Sequence, residues 1–319
     1  MKLAVFEAQG RARWDRFALL LAALERGKSG DAAELPPLYR QICHDLALAR
    51  ERQLSGALVA ELNELALAGH RLLYQARTGE IRGIGAFLAG DFPRAVRSEI
   101  RLVVSLHALF YGLALGLGVL AWAQPDLIYS FISPENVSEI EAMYDPSGTV
   151  EGAPRDAGTD ATMFGFYIWN NVSIAFRTFA SGLAFGVGTL VSVIFNALTL
   201  GLVASHLVRE GSAQPFFSFV IGHGAFELTA ILLSGVAGMR LGLAVLAPGP
   251  RSRVAALRAA ALSSLPIIAG AALMLVIAAG IEAFWSPRRL PAELKYAVGA
   301  ALWLLVALWL GTAGRSRAD

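Results

Sequence analysis

One cysteine, Cys43, is present in the whole chain, which excludes an internal disulfide and any paired-cysteine metal or redox site. It reads as a small residue buried between helices. Charge is also scarce: 16% of the 319 residues are Asp, Glu, Lys or Arg, and a formal net charge of +2 without a basic tract is too weak for a nucleic-acid partner. The opening MKLAVFEAQGRARWDRF lacks an uninterrupted apolar core and a small-residue cleavage site. No secretory signal is read there, and the first hundred residues are expected to stay cytoplasmic. No HExxH stands anywhere to supply two zinc-binding histidines and a base.

Apolar residues are what the chain has in quantity. At 55% hydrophobic and a mean hydropathy of +0.54, it reads as an integral membrane protein with a soluble part. The expected fold is all-α: a polytopic membrane bundle of about six spans, preceded by a soluble helical domain and an amphipathic interfacial helix.

Residues 1–80 carry the soluble pattern. Trp14, Phe17, Leu21 and Leu24 form one stripe of a first helix ending by residues 27–30. Pro36 and Pro37 mark the start of a second, with Leu38, Ile42 and Leu46 inward, and residues 53–56 break it. A third helix follows over 57–77, with Leu58, Leu62, Leu65 and Leu72 inward and Glu61, Glu64 and Arg71 in water. His44 and His70 have no partner at metal-ligand spacing. Over 81–101, Ile84, Phe87, Leu88, Phe92, Val96 and Ile100 alternate with Arg82, Arg94, Arg97 and Arg101, as in a basic helix lying in a membrane surface. A fourth helix of the soluble domain is the alternative. Pro93 kinks this stretch or starts a second segment.

The membrane region is expected over 102–312, with 313–319 as a cytoplasmic tail. A first span, 102–123, carries His107 and a glycine face of Gly112, Gly116 and Gly118. Residues 124–162 form an acidic loop with the charge balance of a translocated segment, containing a short helix near 137–144. This loop lacks EF-hand spacing. Residues 164–207 hold two spans joined near Gly186 and Gly188, or an interfacial helix and one span, since Asn170, Asn171 and Arg177 interrupt the first half. Charge bias favours two, because Arg240, Arg251, Arg253, Arg258, Arg315 and Arg317 then all lie inside with both termini.

The fourth span, 215–243, is the one around which the rest is organised. It places His223 and Glu227 one turn apart on a single face, with Gly222 and Gly224 leaving that face open to close approach. A carboxylate in hydrocarbon costs several kcal/mol, so Glu227 must be neutralised, paired or beside water. A fifth span, 256–285, carries Pro266 and Glu282, and a sixth runs over 296–310. The expected polar membrane cluster is His223, Glu227, Asn170, Asn171, Arg177, Asn196 and Glu282. The expected packing glycines are Gly112, Gly116, Gly182, Gly186, Gly222, Gly224, Gly238 and Gly242.

Several of these residues carry a resemblance. Asn170-Asn171 followed by RTFASG, then GVGT, Asn196, Gly201, HGAFEL at 223–228, Gly238 to Gly242 and IEAF at 281–284 resemble the stage II sporulation protein M family. LYRQICHDLALAR and FLAGDFPRAVR resemble the N-terminal extension of its longer members. The resemblance implies a multi-pass inner-membrane protein. It also implies an envelope-related complex with MoxR-type ATPase and RDD-domain membrane proteins as partners. The short sporulating members, which serve as scaffolds for cell-wall-degrading partners, lack the soluble domain.

Three function classes follow: a non-enzymatic scaffold or complex subunit, expected to be a homo-oligomer; a transporter or channel using Glu227 and His223 in a proton or ion path; and an intramembrane metal hydrolase, for which His223 and Glu227 lack a third ligand unless His206 or Glu282 is brought to them. The first is the reading adopted, with no catalytic residue, cofactor or metal assigned.

Overall fold

A computed structural model describes residues 3–25, 34–74, 83–145 and 157–315, and among them every regular element is a helix. The chain divides into two compact units, Met1–Ile84 and Gly85–Asp319.

The first unit contains α1 (Leu3–Glu25), α2 (Leu35–Glu51) and α3 (Gly56–Tyr74). Pro36 and Pro37 occupy the first turn of α2, where a missing N–H costs nothing. Gln53 adopts a left-handed conformation (φ 49°) and ends the α2 segment. Trp14, Phe17, Ile42, Leu58 and Leu62 are buried between the helices. A polar clamp sits in this core. Asp45, 5% exposed, accepts from Trp14 Nε1 at 2.8 Å and from Arg13 Nη2 at 2.7 Å, so α1 and α2 are tied by a bonded charge as well as by apolar contact. The expected ends of the first and third helices, at 27–30 and Arg77, and the side chain of Leu72 lie outside the described residues.

α4 (Ile84–Ala86) falls at the division, and the second unit continues with a π-helical turn (Phe87–Asp91) and α5 (Phe92–Ser98). Pro93 starts α5, and Phe92 and Val96 are buried in the core of the bundle. Then come α6 (Ile100–Ala123), a 3-10 turn (Pro125–Ser130), α7 (Pro134–Met143), α8 (Ala157–Ala180), α9 (Val187–Arg209), α10 (Ala213–Leu246), α11 (Arg253–Phe284) and α12 (Ala292–Thr312). Ser133 caps α7, its Oγ accepting from the Asn136 N–H. Pro266 lies inside α11 without ending it.

Among the described residues, five helices are long and apolar enough to cross a membrane: α6, α9, α10, α11 and α12. α10 is central. Its most apolar stretch is 67% buried, against 17% for α6 and for α12, which face outward. Six spans were expected, and the one outside this set is α8, whose composition is diluted by Asp160, Asn170, Asn171 and Arg177. Yet α8 is a full member of the bundle. At one end Asp160, 4% exposed, pairs with Arg288 at 2.5 Å just beyond α11; at the other, the Thr178 carbonyl lies against Gly238 of α10.

The α8–α9 turn is where backbones come closest. The 3-10 turn Ser181–Leu183 leads to Phe185 (φ 56°) and Gly186 (φ 82°), both left-handed. A Cβ on Gly182 would collide with the Gly238 carbonyl, and one on Gly242 with Gly186 N. On α6, Gly112 and Gly116 have nothing within 4 Å of an added Cβ among the described residues. The approach of α6 to α9 is instead made by Ala114 and Gly118 against Gly201, because that face of the helix, not the one bearing Gly112 and Gly116, is turned inward.

Candidate functional site

The polar side chains inside the bundle converge where α8, α10 and α11 meet. α10 supplies His223 and Glu227, whose helical spacing of four brings Nε2 and Oε2 to 4.0 Å. The two side chains are only 6% and 18% exposed. α11 supplies Glu282, and α8 supplies Asn171, which is 2% exposed and donates from Nδ2 to Glu282 Oε2 at 3.5 Å. Asn170 Nδ2 donates to Asn171 Oδ1 at 3.0 Å and steadies that amide. One ligand-type atom each from His223, Glu227 and Glu282 lies within 4.8 Å of the other two.

Two features keep this group from being a fully satisfied hydrogen-bond network. Glu227 Oε2 is buried with no hydrogen-bond partner among the described residues, a state that costs about 1–3 kcal/mol or more for a charged group. Neither carboxyl is ion-paired to a lysine or arginine among the described residues. Taken alone, then, two carboxyls in an apolar bundle lack an evident counter-charge.

Glu227 also forms part of the wall of a cavity of about 660 Å³ between α6, α7, α8, α9 and α10. Asn196, Arg177 and Ser192 line it, and Met143 and Tyr144 stand at the end carrying α7. Asn196 and Arg177 therefore face the cavity and do not join the His223 group: Asn196 Nδ2 donates to the Ser192 carbonyl and Arg177 Nε to the Ser173 carbonyl, each on its own helix. Gly222 lies against Trp285, while Gly224 has only ordinary contacts.

Two contributors, Ser286 and Lys295, were not singled out in the sequence. Ser286 Oγ bonds His223 Nδ1 at 3.2 Å, and the Ser286 carbonyl accepts from the buried Lys295 Nζ at 2.9 Å. Lys295 precedes by one residue the span expected at 296–310, and a lysine at the mouth of an apolar run is the signal that could have found it. Ser286 offered none. His206, the other histidine considered as a recruit, is engaged elsewhere: its Nε2 lies 2.7 Å from Glu141 and ties α9 to α7.

Comparison with known proteins bears on the same region. The family model for stage II sporulation protein M matches residues 107–287, and a Domain of unknown function, DUF8413, matches residues 4–75. The Uncharacterized protein MJ0793 of Methanocaldococcus jannaschii is 29% identical over 115 residues, covering 36% of this chain and 60% of that relative. The chain thus spans about 60% of the length of the curated relative it matches. No solved structure matches it.

Proposed function

Because this chain belongs to the stage II sporulation protein M family, its match covering the bundle from His107 to Pro287, we propose that it is a non-enzymatic, multi-pass inner-membrane protein serving as scaffold or subunit of an envelope-related complex. The observation that carries this reading is the division of labour between two units. One is an apolar bundle with glycine-mediated crossings; the other is a three-helix module matched by a family model of its own. A close-packed membrane anchor joined to a water-facing module is what an assembly subunit requires. The arginines at 251–258 and 315–317 support a cytoplasmic side for both termini, and the acidic composition around α7 supports the opposite side for that segment. A second copy of the chain, a MoxR-type ATPase and RDD-domain membrane proteins are the proposed partners.

Affinity purification of the full chain from intact membranes in mild detergent is expected to bring down at least one stoichiometric partner, and a detergent-corrected mass of two or more chains. Recovery of a lone monomer would remove the subunit reading.

A second reading, a proton or ion path, has its own support in the unpartnered Glu227 oxygen at the cavity wall. It requires Glu227→Gln to abolish proton or cation flux in reconstituted vesicles while the protein still inserts and assembles. Unchanged flux in that variant excludes it.

A further inference from the structure

The geometry points to a divalent transition-metal site at the junction of α8, α10 and α11, with His223 Nε2 and the carboxylates of Glu227 and Glu282 as its protein ligands. Three lines of observation lead there independently of the scaffold reading.

The first is reach. Three atoms no more than 4.8 Å apart share a point at most about 2.8 Å from each (4.8 Å divided by √3), so sub-ångström side-chain shifts bring all three to the roughly 2.0–2.2 Å of nitrogen and oxygen bonds to zinc. The second is orientation. A metal-binding histidine ordinarily holds its other ring nitrogen in a hydrogen bond, and here Nδ1 is held by Ser286 Oγ at 3.2 Å while Nε2 is turned toward Glu227. Ser286 is in turn fixed by Lys295 through its carbonyl, and Glu282 by the Asn171 amide, so two of the three ligands have bonded supports. The third is charge. A divalent cation would neutralise two carboxylates that are ion-paired to no lysine or arginine among the described residues, and would give Glu227 Oε2 the partner it lacks among them.

One imidazole nitrogen with two carboxylate oxygens suits zinc and the neighbouring first-row ions better than calcium, which takes six to eight oxygens. Three protein ligands leave a coordination position open, and the Glu227 side of the site borders the 660 Å³ cavity, through which an ion or water can enter. The assignment is of binding; no hydrolytic step is attached to it.

The test uses the full chain, purified in detergent and stripped with a chelator, with Co²⁺ as the optical probe and Zn²⁺ as competitor. One Co²⁺ per chain is expected, with visible d–d bands that Zn²⁺ abolishes. Glu282→Gln and His223→Gln should each weaken Zn²⁺ binding by about 100-fold or more, and Ser286→Ala, which removes only a support, by about 10-fold. Gly112→Ala, at a position where an added Cβ has nothing within 4 Å among the described residues, should bind as the unaltered chain does. Equal Zn²⁺ affinity in the unaltered chain and the Glu227→Gln/Glu282→Gln double variant would overturn the site, as it would if the carboxyls held only protons. If those variants fail to fold, the unaltered chain decides alone: no d–d bands at saturating Co²⁺ also overturns it.

Discussion

Gly238→Ala should lower the melting temperature of the bundle by about 6–12 °C, and Gly238→Leu should prevent the folded protein from accumulating in the membrane. The reason is the identity of the neighbours. A Cβ at Gly238 would lie 2.5 Å from Thr189 Oγ1, 2.8 Å from the Phe179 carbonyl oxygen and 2.9 Å from that of Thr178. Two of these are backbone atoms, and the third is pinned because Thr189 Oγ1 donates to the Thr178 carbonyl at 2.8 Å. No flexible side-chain end can swing away, so α10 must move off the α8–α9 turn. That movement also opens the Gly182–Gly238 and Gly186–Gly242 contacts, the closest approaches in this part of the bundle. Within a bilayer, packing of this kind is itself the main force holding helices together, since lipid tails solvate apolar side chains as well as protein does. An overpacking cost near 3 kcal/mol corresponds to the stated shift at about 2–4 °C per kcal/mol for a unit of this size. Gly112→Ala provides the contrast, with an expected change within about 0.5 kcal/mol. Melting followed by fluorescence-detected size exclusion compares the two; a Gly238→Ala protein melting with the unaltered chain would mean that this crossing contributes nothing.

The contrast between Gly238 and Gly112 also shows where sequence reading reaches its limit. Glycine periodicity marks a face that permits close approach, and both positions carry that mark. Only the tertiary arrangement decides whether a partner arrives, and on α6 the partner Gly201 meets Ala114 and Gly118. Local rules were sufficient elsewhere: the proline pair starting α2, the stripes of α1 and α2, the helix in the acidic loop and the extent of α10 all follow from periodicity and capping. The i, i+4 geometry of His223 and Glu227 was legible for the same reason, because both lie on one helix. The third member, Glu282, was expected in the polar cluster as an acid near the end of a span, but its approach to within 4.8 Å of that pair was not legible. Glu282 is 55 residues beyond Glu227, and its placement depends on the register between α11 and α10, for which the sequence carries no local code. α8 was ambiguous because the asparagines and arginine that lower its hydropathy are among those it turns toward the site and the cavity. A bundle helix that brings polar groups to an interior site is less apolar by necessity, so hydropathy alone does not mark its place in the bundle.

Phe92→Ala should destabilise the bundle by about 3–5 kcal/mol, and a second substitution, Gly270→Leu, should restore part of that loss although it is damaging on its own. Phe92 is fully buried, its ring 5.3 Å from Trp309 of α12 and 6.0 Å from Phe87, and it is packed so tightly over Gly270 of α11 that a Cβ there would strike the ring. This one side chain therefore joins α5 to α11 and α12. Truncation leaves a cavity between three elements that cannot all close on it, since Trp309 is held by its own Nε1 bond to the Leu88 carbonyl at 2.8 Å. Gly270→Leu in the unaltered background forces Phe92 out and should cost several kcal/mol. In the Phe92→Ala background the same leucine enters the vacated volume. The two changes must then be less than additive, with a coupling of about 1–3 kcal/mol, within the range found for residues that share one cavity. Thermal unfolding of the four proteins in one detergent measures this coupling directly. Strict additivity would mean that residues 92–98 lie on the bundle without being inserted into it. That arrangement is the interfacial helix which the arginine pattern alone suggests, and the ring of Phe92 separates the two.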